Sequence, residues 1–146
     1  MTSVANRRSV MVLYSDSLSP IGHAVRIVLA EKDINVDINY VSGNKLPEEI
    51  AEINPYNTVL TLIDRDLVLY DAQIIMEYLD ERFPHPPLMP VDPVARASNR
   101  QIRYRVLRDL YGCIEDINSD NDITTANAKK NLRDHLTSIS AVFAQK

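Results

Sequence analysis

The sequence predicts two units of different class: an α/β unit on a mixed four-stranded sheet over residues 1–86, then a partial all-helical unit over residues 87–146. Three observations predict it. Short apolar runs of strand length alternate with helical periodicity as far as residue 82. Prolines at 84, 86, 87, 90 and 93 then interrupt the chain, removing backbone donors and pushing each preceding residue towards extended geometry. Beyond them only helical periodicity continues.

Val10 to Leu13 is continuously apolar, the pattern of a strand buried on both faces. Tyr14 to Ser19 reads as a polar loop, and Ser19-Pro20 as a helix start with a hydroxyl cap and proline in the first turn. Ile21, Val25, Val28 and Leu29 share one face of that helix, which ends near Lys32-Asp33. Val36 to Val41 is a second strand, and Lys45 to Ile53 a short helix with Pro47 at its start. Val59 to Ile63 and Leu67 to Leu69 are strands separated by Asp64-Arg65-Asp66, a spacing suited to a hairpin. Ile74, Ile75, Tyr78 and Leu79 then repeat at helical spacing from Asp71 to Arg82. The order strand, helix, strand, helix, strand, strand, helix describes a thioredoxin-like arrangement, with helices on the faces of a mixed sheet.

Composition narrows the function classes. Of 146 residues, 45% are hydrophobic and 25% charged, which argues for a globular rather than a disordered chain. No apolar run approaches the roughly 18–20 residues that span a bilayer, and Met1 to Ser9 lacks the apolar core of a signal peptide. A cytoplasmic location without membrane contact is the expectation. The lone Cys113 forms no internal disulfide and fits a reducing compartment. His23, His85 and His135 are far apart, without ligand spacing, so neither metal nor cofactor is expected. A net charge of −4 argues against general nucleic-acid binding.

The residues from Val12-Leu13-Tyr14-Ser15 through Ser19-Pro20-Ile21-Gly22 to Arg26–Lys32 resemble the opening of the glutathione transferase superfamily. Within it, Ile74 to Pro90, ending in Pro-His-Pro-Pro-Leu-Met-Pro, closely resembles the stringent starvation protein A family. Arg7-Arg8-Ser9-Val10-Met11 and Pro93-Val94-Ala95-Arg96 extend the similarity. The resemblance implies a thioredoxin-like domain followed by a helical domain, usually dimeric. It also implies action on transcription in stringent, stationary-phase or stress responses, through RNA polymerase holoenzyme rather than catalysis. The expected contact is the proline-fixed segment Pro84, His85, Pro86 and Pro87, since a stiff loop loses little entropy on docking. The sigma-factor region is the expected target, with DNA contacted only through the polymerase complex.

The competing reading is a glutathione-binding transferase with a degenerate site. Redox relatives carry Cys-Pro-x-Cys after the first strand, where a helix N-terminus stabilises a thiolate. Here Ser19-Pro20-Ile21-Gly22 stands in its place, which excludes disulfide exchange. Tyr14, Ser15, Ser17 and Ser19 supply hydroxyls in the same loop, whose plain alternative is turn and cap chemistry. The superfamily's cis-proline before the third strand is replaced by Leu60 after Val59, where a cis bond would cost about 2.5–4 kcal/mol. A trans bond is therefore expected. The acidic-Ser pair that grips the γ-glutamyl group appears as Asp71-Ala72, and Asp71 serves equally well as a helix cap. Tyr14, Ser19, Leu60 and Asp71 thus form a candidate vestigial ligand site.

Val94 to about Asn118 reads as one long helix, with Ile102, Val106, Leu110 and Ile114 on an apolar side. Arg96, Arg100 and Arg103 form a candidate basic contact stripe, joined by Arg105 and Arg108; the alternative is a solvated face laced with salt bridges. Gly112 inside this helix marks a weak point or a close packing contact. Cys113 reads as packed and inert. Thr124 or Thr125 is expected to cap a last helix that carries Ala128, Leu132, Leu136, Ile139 and Val142-Phe143. With room for only two helices after Pro93, the chain is expected to lack the last part of the helical domain. An uncovered apolar side would then pair with a second copy, giving a homodimer.

Overall fold

The computed structural model describes residues 10–42 and 46–144, divided into two compact units between Leu88 and Met89. In the first unit the order is β1 (Met11–Ser15), α1 (Pro20–Glu31), β2 (Val36–Tyr40), α2 (Glu48–Ile53), β3 (Thr61–Asp64), β4 (Leu67–Leu69) and α3 (Ala72–Arg82). Arg7, Arg8 and Lys45 lie outside the described residues.

The sheet runs β2-β1-β3-β4. β1 lies parallel to β2, with Leu13 opposite Ile38, and antiparallel to β3, with Leu13 opposite Leu62. β3 and β4 form the expected hairpin, and Arg65 takes a φ of 59° in its turn. The first strand is central because its apolar side chains must be covered on both sides: Leu13 is fully buried and packs with Val25, Leu29, Leu62, Ile75 and Leu79. Six such side chains, each contributing roughly 1.5–3 kcal/mol on burial, are the main term holding this unit together.

Several boundaries differ from the periodicity. β1 begins at Met11 rather than Val10 and includes Tyr14 and Ser15, expected in a loop. Their backbones pair with Asn39 and Tyr40, and Val41 N–H donates to Ser15 O at 2.8 Å, so ladder bonds override polar side chains. β3 begins at Thr61 rather than Val59. The buried Asn54 amide donates to Thr58 O at 3.0 Å and to Thr61 Oγ1 at 3.2 Å, which holds the intervening residues in a loop. α2 begins at Glu48, after Pro47 in extended backbone.

In the second unit, α4 (Pro93–Arg105) continues through a π-helical stretch (Val106–Tyr111) into α5 (Gly112–Ile117), followed by α6 (Asp122–Ala144). Pro93 opens α4 instead of ending the connector, with Asp92 as cap accepting from Ala95 N–H at 3.0 Å. Proline is accommodated there because the first-turn N–H has no helical partner. Ile102, Val106, Leu110 and Ile114 are spaced four apart, which outruns a 3.6-residue turn, and the wider turn of the π stretch offsets that drift.

Asn121, not Thr124 or Thr125, caps α6: its Oδ1 accepts from Ile123 N–H at 3.0 Å and Thr124 N–H at 3.1 Å. The Thr125 hydroxyl instead reaches back to Ile117 O at 3.3 Å. The apolar side of α6 is only partly covered. Ala128 and Ile139 are buried and Leu132, His135 and Val142 half-buried, whereas Leu136 and Phe143 are exposed. Gly112 has open space around it and makes no close packing contact; Cys113 is a half-buried free thiol. No described helix is long and apolar enough to cross a membrane.

Candidate functional site

The loop after β1 begins with Asp16, whose Oδ1 accepts from Leu18 N–H at 2.9 Å and Ser19 N–H at 2.5 Å. The turn so formed delivers Ser19 to the start of α1, where its Oγ accepts from Gly22 N–H at 3.3 Å. Arg26, one to two turns along α1, donates from Nη1 to Ser15 Oγ at 2.9 Å and to Asp16 O at 2.6 Å, and lies over the Tyr40 ring. Tyr14 is buried and its hydroxyl donates to Glu49 Oε2 at 2.5 Å.

The four candidate ligand residues therefore have separate local roles. Asp71 caps α3, its Oδ2 accepting from Gln73 N–H at 3.1 Å and Ile74 N–H at 3.2 Å. Leu60 packs against the apolar core and follows a trans peptide bond. Ser19 caps α1 as an acceptor, and the Tyr14 hydroxyl hydrogen is given to Glu49. An open cleft of about 650 Å³ lies beside Tyr14, lined also by Asn39, Tyr40, Pro47 and Glu48. Glu48 and Glu49 make its rim acidic, which suits a cation better than the carboxylates of a γ-glutamyl peptide.

A different arrangement is built at the end of α3. Pro84, His85, Pro86 and Pro87 are all exposed, and the His85–Pro86 peptide is cis. Beneath them lies Lys32, whose side chain has no solvent exposure. Its Nζ donates to Asp80 Oδ1 at 2.7 Å, Phe83 O at 2.6 Å and Pro86 O at 2.5 Å. The same Asp80 oxygen accepts from Leu88 N–H at 2.9 Å. Three N–H groups thus meet three oxygens, one of them anionic, which is what a buried ammonium requires. The segment is tied at Phe83, Pro86 and Leu88 while its side chains face outward.

Sequence reasoning treats Lys32 only as a helix end. A signal was present: Gly22, Val25, Leu29 and Lys32 fall at helical spacing, and the first three are buried. A lysine continuing a buried stripe needs acceptors, and carbonyls left without N–H donors by the proline run supply them.

In the second unit Arg96 donates from Nη1 to Pro90 O at 3.2 Å, and Arg108 donates to Tyr104 Oη at 3.0 Å. Arg100 is exposed and Arg103 half-buried, each with interactions of its own. The first of the three stripe arginines thus fastens the approach to α4. Among the described residues no group of three or more His, Cys, Asp or Glu is placed to hold a metal ion.

Comparison with known proteins adds four findings. The family model described as glutathione S-transferase, N-terminal domain, matches residues 13–87. The chain is 48% identical over 145 residues to the stringent starvation protein A homolog of Pasteurella multocida (strain Pm70), covering 99% of this chain and 68% of that relative. It is 41% identical over 101 residues to glutathione S-transferase Z1 of Arabidopsis thaliana, covering 67% of this chain and 46% of that one. Among solved structures, the tau class glutathione S-transferase of mango superposes with a TM-score of 0.82 at 21% identity, over 94% of this chain and 64% of that one. That likeness carries the fold: a thioredoxin-like domain followed by a helical one.

Proposed function

Because the chain belongs to the stringent starvation protein A family, within the glutathione transferase-like superfamily, we propose that it is a non-catalytic transcription regulator. It binds RNA polymerase holoenzyme during the stringent, stationary-phase or stress response, and meets DNA only through that complex. The contact is the exposed Pro84-His85-Pro86-Pro87 surface, directed at the sigma-factor region. The protein acts in the cytoplasm as a homodimer.

One observation carries the reading: the proline segment is fixed from below by Lys32, which donates to Pro86 O and to the preceding Phe83 O, and by Leu88 N–H, which donates to Asp80, so its outward side chains lose little freedom when they dock. The candidate ligand residues support the same reading, since Tyr14, Ser19 and Asp71 are engaged in local bonds. Capture of purified holoenzyme on the immobilised protein tests it. The parent chain should retain holoenzyme and the His85→Ala and Pro84→Ala variants should retain much less. Equal retention by the variants removes the proposed surface.

The second reading, a glutathione-binding transferase with a degenerate site, is favoured by the family model that spans residues 13–87. Calorimetric titration with glutathione separates the two. Saturable heat at millimolar ligand would support the transferase, and its absence would dismiss it.

A further inference from the structure

Buried lysines are uncommon because the ammonium must find as many acceptors as it loses waters. Lys32 finds them 48 to 54 residues away in sequence, and none of the three lies on its own helix. Two are main-chain carbonyls in the proline run, Phe83 O and Pro86 O, at positions where prolines have removed the N–H groups that would otherwise pair them. The third, Asp80 Oδ1, is shared with the amide of Leu88, so one carboxylate oxygen links the lysine to the far end of the loop. α1 and α3 bring the two sides of this arrangement together: Leu29 and Leu79, flanking it in each helix, are buried in the same apolar cluster.

We infer that Lys32 is a positioning residue for partner recognition: it fixes the Pro84–Pro87 surface from beneath without itself being accessible to a partner. The inference rests on the reading of that surface as the contact. Its action is on the loop backbone. Without the ammonium, two carbonyls and a carboxylate face one another with a single amide donor between them, and the loop must open to hydrate them fully.

Amide exchange followed by NMR on the full chain reads this directly and needs no polymerase. In Lys32→Met, a variant of similar length that fills the buried site, Leu88 N–H should exchange at least about tenfold faster than in the parent. The amides of Ile75 and Leu79 should accelerate by a smaller factor. Equal acceleration of all three means that Lys32 serves global stability alone, and overturns the inference. If Lys32→Met does not fold, Asp80→Asn replaces it, because its amide oxygen can still accept from Leu88 N–H while the charge that pairs with the ammonium is gone. The same comparison of rates then decides. Holoenzyme capture supplies the second arm. Lys32→Met should lose most of the retention, whereas Tyr78→Phe, which removes a hydrogen bond away from the loop, should keep it. Comparable loss in both variants contradicts positioning. Failure of the contact reading has its own signature: Leu88 exchanges faster in Lys32→Met, yet His85→Ala retains holoenzyme as well as the parent.

Discussion

Gly22 and Gly112 occupy opposite surroundings, and the same substitution should move stability in opposite directions. A Cβ on Gly22 would stand 2.8 Å from Ser15 Oγ, which is fully buried and bonded to both Arg26 and Asp16. Gly22→Ala must displace that hydroxyl, and should destabilise the chain by about 1–3 kcal/mol as overpacking does. A Cβ on Gly112 would meet nothing within 4 Å, in backbone of helical φ and ψ. Gly112→Ala should stabilise by about 0.5–1 kcal/mol, through the entropy of the unfolded chain and the better helix propensity of alanine. Urea denaturation of both variants checks the pair, and a shift of the same sign in both would contradict it. The residue scale is also where sequence reading falls short. That Ser19 and Asp71 are caps was legible as an alternative, because hydroxyl or carboxylate before a helix has a local meaning. That Lys32 holds a loop fifty residues on was not, because its three acceptors converge only when α1 and α3 pack together.

At the scale of elements, α3 is fastened at both ends: by Asp71 at its start, and at its far end by Asp80 and the loop. Between them Tyr78 reaches the hairpin, its hydroxyl donating to the Asp64 carboxylate at the end of β3. Burial, and then the hydrogen bond and charge of Asp64, raise the Tyr78 hydroxyl above the ordinary tyrosine value of 10.0. The folded state therefore holds this proton more tightly than the unfolded chain. The corresponding stability is fully present below pH 10.0, and is lost as pH climbs through the higher folded value. Tyr78→Phe should cost about 1 kcal/mol at neutral pH. It should also flatten the alkaline fall in melting temperature, since one titrating group of that fall is gone. An unchanged alkaline slope would count against the Tyr78–Asp64 link. The elements themselves were largely legible, because strand-length apolar runs and the Asp-Arg-Asp turn depend on neighbours in sequence. The boundaries at Tyr14-Ser15 and Val59-Leu60 were not, being set by cross-strand pairing and by the Asn54 amide. On α6 the apolar positions Ala128, Leu132, Ile139 and Val142 turn inward as their spacing implies, whereas Leu136 and Phe143 stay exposed.

For the whole molecule, the division into an α/β unit and a helical unit follows from where the prolines fall, and the chain spans 68% of the length of the curated relative it matches at 48% identity. The central claim is that a fold shared with glutathione transferases here presents a fixed proline surface to a large partner. Residues committed to that surface sit at the end of α3, whereas Tyr14, Ser19 and Asp71, which a ligand would need, are bonded locally. The dissociation constant for purified RNA polymerase holoenzyme, measured by biolayer interferometry for the parent and for His85→Ala, tests this most directly. Truncating the side chain at the centre of a docked loop should weaken binding at least about tenfold, with the melting temperature unchanged because His85 is exposed and no core contact is lost. Equal dissociation constants for the two proteins, or no measurable binding by the parent, would contradict the account.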